Sequence, residues 1–263
     1  MLTFIFFLTT ILVNCYFFKL KQWFLLPFVF VLSLMMAFLI TFLFLVFCLA
    51  IMSFFPPNHS FKGFVIRSLS RCIKTFLRIE VTVKNKNLFP LKENIIIYAN
   101  HKSYIDAFLI ASELPRTLAF APKDKFCFPV LTKWFLDLAF YSSDCMVVSR
   151  DNIRKTSQNL INIIPKIKLG LALVVFPEGG MTNVNDEKVT SLLRGSFKIS
   201  FKSEASIIPL TVKGASQIKN YFWWQKKKVE IIIHKSLKYN DYRGQTTQQI
   251  ALNVEKIINS SFE

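Results

Sequence analysis

From Trp23 to Phe55 the chain runs for 33 residues without a charged side chain. A helix needs only about 20 apolar residues to cross the hydrocarbon core of a bilayer, so this run is long enough for one full span. The first 18 residues, MLTFIFFLTTILVNCYFF, are also uncharged, and Lys19-Leu20-Lys21 separates the two runs. A cleaved signal peptide would need a basic start, a short apolar stretch and a small-residue cleavage site. None of the three is present, so residues 1–55 are expected to be a retained membrane anchor of one or two apolar helices. The second helix spans; the first either spans or lies as a re-entrant segment.

Charge is distributed to match. The chain carries a net charge of +17, yet residues 1–55 hold no acid and only Lys19 and Lys21. Everything after residue 55 is therefore a basic body of a size that suits one domain. Pro56 and Pro57 stop the apolar helix, and the stretch FKGFVIRSLSRCIKTFLRI then shows helical period. Phe61, Val65, Leu69, Cys72, Ile73 and Phe76 fall on one side, while Arg67, Arg71, Lys74 and Arg78 form a second stripe. Residues 56–80 read as a linker and a basic amphipathic helix, which either lies on anionic lipid or packs on the body. Lys62 and the stripe outweigh Lys19 and Lys21, placing the body on the cytoplasmic side. The five cysteines form no C-x-x-C pair, so neither a disulfide framework nor a structural metal site is expected.

In residues 81–263, apolar β-branched runs alternate with helical stretches. Strands are expected at Ile95–Tyr98, Leu118–Ala121, Met146–Val148, Leu171–Phe176, Ile207–Val212 and Val229–Ile233. Helices are expected near 105–113, 128–138, 152–167, 194–203 and 247–259. That alternation predicts an α/β body with a mixed, largely parallel sheet flanked by helices. In such sheets the residues just after strand ends line the ligand crevice.

The polar motifs fall at those ends. His101 follows the first of these strands in NHKSYID, with Asp106 five residues on. Ser103 and Asp106 also form S-x-x-D, the pattern of a helix capping box. A neutral imidazole serves as a general base, and a nearby carboxylate orients it. VVFPEGGMTN ends a strand with Pro177, Glu178, Gly179 and Gly180, the glycines allowing close backbone approach. Arg150 in VVSR suits bidentate phosphate binding, and Lys123 and Lys125 follow another strand end. Pro209, within SIIPLTVKG, implies an edge strand, a bulge or a strand end. The aromatic run NYFWWQKKK at 220–228 reads equally as a membrane contact or as core beside a charged turn.

Together, NHKSYID, VVSR, FPEGG and IIPL resemble, in order and spacing, the glycerolipid acyltransferase superfamily, and within it the bacterial 1-acyl-sn-glycerol-3-phosphate (lysophosphatidic acid) acyltransferases. The resemblance covers roughly residues 70–260 and includes the apolar N-terminus. It implies His101 as general base with Asp106 as partner. Arg150 and Lys123 would meet the phosphate of the acceptor. Glu178, Gly179 and Gly180 would belong to the acceptor-binding P-E-G motif, and Pro209 to the fourth motif. Where that third motif usually reads F-P-E-G-T-R-S, this chain has Gly180 and Met181 for Thr and Arg, and Arg194-Gly195 stands where a basic residue and glycine recur.

The implied reaction moves an acyl chain from acyl-CoA or acyl carrier protein to the free hydroxyl of a lysophospholipid. Since the thioester is already activated, base, oxyanion stabilisation and positioning suffice, with no cofactor and no metal. Anionic membrane lipid is the expected partner surface; no nucleic-acid motif accompanies the basic charge. Two alternatives stand beside this reading: acylation of another lysophospholipid or of glycerol-3-phosphate, and a membrane-anchored lipid-binding protein without chemistry.

Overall fold

The computed structural model describes residues 1–19, 25–124, 130–149, 151–181, 186–222 and 224–262. Two apolar helices open the chain, α1 (Leu2–Lys19) and α2 (Leu26–Met52). At 1.5 Å per residue they are about 27 and 40 Å long. Both are long and apolar enough to cross a bilayer. They pair as a hairpin in which Asn14 Nδ2 donates to Ser33 Oγ at 2.8 Å, a polar tie between apolar helices. Leu2 N donates to Ser68 Oγ, and Leu45, Leu49 and Met52 pack with Val65. Both free ends of the hairpin thus meet the next helix, α3 (Ser60–Phe76).

Among the described residues the body is a six-stranded sheet in the order β1-β6-β5-β2-β4-β3, with β5–β6 the one antiparallel strand pair. Its strands are β1 (Ile79–Lys84), β2 (Ile95–Ala99), β3 (Leu118–Phe120), β4 (Ala172–Val175), β5 (Ser206–Lys213) and β6 (Lys227–Ile233). Between them run α4 (Asp106–Glu113), α5 (Val130–Ser142), α6 (Ile153–Lys168) and α7 (Lys198–Ser203), and after β6 come α8 (Tyr239–Tyr242) and α9 (Thr247–Asn259). Helices cover both faces. Ile95, Ile97 and Ala99 of β2 pack with Leu109, Ile110 and Leu114 on the α4 side. Ile96 and Tyr98 pack with Ile163 and Ile167 of α6, Ile199 of α7 and Val254 of α9 on the other. With both faces covered, β2 is buried at every position, which is why IIIYA shows no polar alternation.

The expected α/β class with a largely parallel sheet is what the chain forms, but several elements differ. Met146–Val148 is not a strand: it makes single backbone bonds, Met146 N to Phe120 O and Val148 N to Pro122 O, and one bridge with Lys123. β1 was not expected. Helix α3 stops at Phe76, Arg78 turns through a positive φ of 54°, and IEVTVK then alternates buried and exposed residues beside β6. The first residues of the helix expected at 128–138 lie outside the described residues.

Pro209 lies in β5, well inside the sheet, with Tyr98 opposite on β2. The missing N–H faces β6, where the partner chain carries one extra residue: Leu210 pairs with Ile233, but Ile207 pairs with Leu237. Of the three expectations for this proline, the bulge is the one realised. The basic stripe of α3 turns to protein. Arg67 Nη1 donates to the carbonyls of Pro115 and Arg116 at 3.1 Å, Arg71 Nε to Ser112 O at 3.4 Å, and Lys74 Nζ to Glu113 at 2.5 Å. These cations sit at the carboxyl end of α4, where helix carbonyls are unpaired and the dipole is negative.

Candidate active site

The site forms where β2 ends. Asn100 continues the β2–β5 ladder with its side chain: Oδ1 accepts from Val212 N at 2.7 Å and Nδ2 donates to Val212 O at 2.8 Å. The chain therefore leaves the sheet in a fixed direction, and His101 is the next residue.

His101 Nδ1 lies 3.0 Å from Asp106 Oδ2. That oxygen also accepts the backbone N–H groups of Lys102 at 2.8 Å and Ser103 at 2.9 Å. An oxygen accepting from two N–H groups takes its third contact as an acceptor too, so the imidazole hydrogen sits on Nδ1 and the lone pair on Nε2. Asp106 is fully buried, while the histidine side chain is 20% exposed. The imidazole also stacks on Phe176, centroids 4.2 Å apart and planes 20° apart. The expected capping box is half made. Asp106 bonds Ser103 N, but α4 begins at Asp106 with no side-chain cap from Ser103.

Glu178 comes from the turn after β4, the neighbour of β2. Its Oε1 accepts from His101 N at 2.8 Å and its Oε2 from Lys102 Nζ at 2.7 Å. Both side chains of that ion pair are 1% exposed. The first and third motifs are thus fastened twice, by the Phe176 stack and by the Glu178 carboxylate. Gly179 follows with a φ of 71°, a left-handed turn that side chains disfavour. Gly180 and Met181 are half-buried beside it.

The remaining expected residues are less concentrated. Lys123 is half-buried beyond the end of β3, bridged to Val148 at the same edge of the sheet. Arg194 is exposed and its guanidinium bonds Gln248 of α9 at 3.3 Å, although the preceding Leu193 N bonds Pro177 O at 2.8 Å. Arg150 and Lys125 lie outside the described residues. Lys102, Asn100 and Phe176 are site residues that the sequence reading passed over. A lysine after a strand looks solvated, and nothing local announces that a carboxylate 76 residues later buries it. Burial pushes the Cys145 thiol up to about 12, away from a nucleophilic thiolate.

A histidine–aspartate pair thus stands at the carboxyl edge of an α/β sheet, on a body that packs against two helices long and apolar enough to cross a bilayer. The chain belongs to the acyltransferase family: residues 80–213 match the model of the acyltransferase domain. It is an O-acyltransferase of phospholipid biosynthesis. A probable 1-acyl-sn-glycerol-3-phosphate acyltransferase of Mycoplasma pneumoniae is 26% identical over 220 residues, 79% of this chain and 80% of the relative. A 1-acyl-sn-glycerol-3-phosphate acyltransferase of Borreliella burgdorferi is 25% identical over 187 residues, 68% and 72% of the two chains. The fold matches the crystal structure of the 1-acyl-sn-glycerophosphate acyltransferase PlsC of Thermotoga maritima. The TM-score is 0.64 at 24% identity, over 85% of this chain and 90% of that one.

Proposed function

We propose that the protein transfers an acyl chain from acyl-CoA or acyl carrier protein to the free hydroxyl of 1-acyl-glycerol-3-phosphate, giving phosphatidic acid. The observation that carries the reading is the 3.0 Å contact of His101 Nδ1 with Asp106 Oδ2: with the hydrogen on Nδ1, the lone pair is left on Nε2, as a general base requires. In this scheme Nε2 takes the hydroxyl proton as the oxygen attacks the thioester carbonyl. The tetrahedral adduct collapses, the C–S bond breaks, and the departing thiolate receives the proton from the imidazolium. Asp106 stabilises the imidazolium while it exists.

Lys123 and Arg150 are assigned to the acceptor phosphate, with Arg194 flanking the same turn. Gly179 and Gly180 form the wall on which the acceptor lies, and Pro209 belongs to the strand that supports it. Glu178 contributes to acceptor binding by holding the His101 loop, since each of its oxygens bonds a group on that loop. The thioester supplies the activation, so the scheme needs no cofactor or metal. The relatives' names support the acceptor, and the cations after α2 support a body on the cytoplasmic side.

The test supplies membranes containing the protein with each thioester donor and a panel of lysolipids and glycerol-3-phosphate. Phosphatidic acid should form from lysophosphatidic acid, and His101→Ala should abolish it. A fully active His101→Ala protein would sink the mechanism, and turnover confined to lysolipids without a phosphomonoester would sink the substrate.

A further inference from the structure

A cluster of exposed aromatics stands apart from the α1–α2 hairpin. Tyr221, Phe222 and Trp224 are 47%, 63% and 51% exposed, and the rings of Phe222 and Trp224 stack at 4.8 Å and 8°. They lie on the connection between β5 and β6. Aromatic surface left in water at one place marks a contact site.

Its position says what it contacts. Because β6 is antiparallel to β5, this connection leaves the sheet at the carboxyl end of β5, the edge at which His101 leaves β2. The connection starts one strand spacing from β2, at β5, and ends two spacings away, at β6, roughly 5 and 10 Å. The start of β6 is docked on the end of α3: Lys227 N donates to Arg78 O at 3.1 Å and Lys227 Nζ to Leu77 O at 2.9 Å. One residue earlier, Phe76 packs edge-on against Phe6 and stacks on Phe7 of α1. Helix α1 meets Ser68 at its first turn and Phe76 at its second, so it runs along α3 towards this same edge. Beyond Phe7 its Leu8, Ile11 and Leu12 are exposed. The aromatic connection and the apolar hairpin therefore share one side of the body. Charge agrees: apart from the buried Lys227, segments 77–80 and 219–228 hold Arg78, Lys219, Lys226 and Lys228 against Glu80 alone.

We propose that Tyr221, Phe222 and Trp224 form a second membrane contact, entering the interface of an anionic bilayer and seating the His101 edge of the sheet on it. Amphipathic rings favour the headgroup level and lysines favour anionic lipid. The effect is to bring the acceptor's reactive hydroxyl to His101 without lifting the lipid far from its bilayer. The proposal rests on the reading that α1 and α2 are membrane-embedded.

The test uses the full chain with Trp23→Phe, Trp134→Phe and Trp223→Phe, leaving Trp224 as the reporter. The protein is reconstituted in phosphatidylcholine–phosphatidylglycerol vesicles carrying lipid brominated high or low in the acyl chain. Expected are sedimentation with the vesicles, blue-shifted emission and stronger quenching by the shallow bromines. In the otherwise native chain, Phe222→Ser with Trp224→Ser should raise the apparent KM for vesicle-borne lysophosphatidic acid roughly tenfold, with unchanged melting in detergent as the folding control. Sedimentation with red, unquenched emission and an unchanged KM would overturn the loop contact and leave the anchor standing. The same result with cross-linking of the loop to a second copy would overturn it in favour of a protein contact. Failure to sediment would overturn the anchor reading and this proposal together.

Discussion

Asp106, Phe176 and Glu178 fix the orientation of His101, and Lys102 in turn holds Glu178. Asp106→Asn keeps the volume but offers an amide where a carboxylate stood. It should lower kcat by about 10²–10⁴-fold, within the range of general-base catalysis, with little change in KM. Lys102 is a different case. Lys102→Met strands the Glu178 carboxylate in a site 1% exposed, a loss on the order of 3–5 kcal/mol, read as a fall in melting temperature. Adding Glu178→Gln removes the stranded charge yet keeps an acceptor for His101 N. The double variant should therefore recover most of that stability, and a double cycle that sums additively would refute the coupling. His234 acts in the opposite direction from an ion pair. Its Nε2 lies 2.9 Å from Thr211 Oγ1, whose own hydrogen goes to Ile258 O, so Nε2 is the donor of that bond. Burial lowers its affinity for protons relative to the unfolded chain. The unfolded state then binds more protons, so stability is full above the ordinary value of about 6.5 and is lost as pH falls through the lower folded value. Melting curves from pH 7.5 downwards should show that loss, and His234→Gln should flatten it.

Among elements, α3 joins everything else: the hairpin on one face, α4 through its basic stripe, and β1 at its end. It approaches β3 so closely that a Cβ on Gly63 would meet Thr117 Oγ1 at 2.6 Å and Thr117 Cα at 3.2 Å. Helix propensity favours alanine over glycine by roughly 1 kcal/mol, but pushing α3 off the sheet costs about 1–3 kcal/mol. Gly63→Ala should therefore lower the melting temperature; a rise would show that α3 yields freely. Legibility varied by element. The long apolar helices, β2, β4, β5, α6 and α9 were readable because their period or continuity is strong. Strand β1 was missed although IEVTVK alternates plainly, because the helical period of residues 61–76 was carried two residues too far into the strand. The stripe Arg67, Arg71 and Lys74 was visible as a stripe, but period alone does not say whether lipid or the end of α4 faces it.

At the scale of the molecule, the carboxyl ends of β2, β4 and β5, the amino ends of β1 and β6, and the end of α3 share one edge of the sheet. The hairpin packs on the body through α3 and α5 rather than hanging from a linker, with Phe42 against Trp134 and Phe135. Alkaline carbonate should leave the protein in the membrane fraction, with detergent needed for release. Release by carbonate would mean that the hairpin lies on the surface.

The sequence by itself determined the apolar N-terminal helices, the alternating α/β body, and the spacing that brings His101 to Asp106, because each depends on residues close in the chain. It also marked Glu178 and Gly179 at a strand end. Only the tertiary structure decided that Glu178 and Phe176 grip His101 and that Lys102 is buried. The same holds for Pro209 opposite a bulge and for the basic stripe serving α4. Each of those outcomes joins segments tens of residues apart. Which long-range partner a charge or ring meets is set by sheet order and helix packing, and no local pattern encodes it.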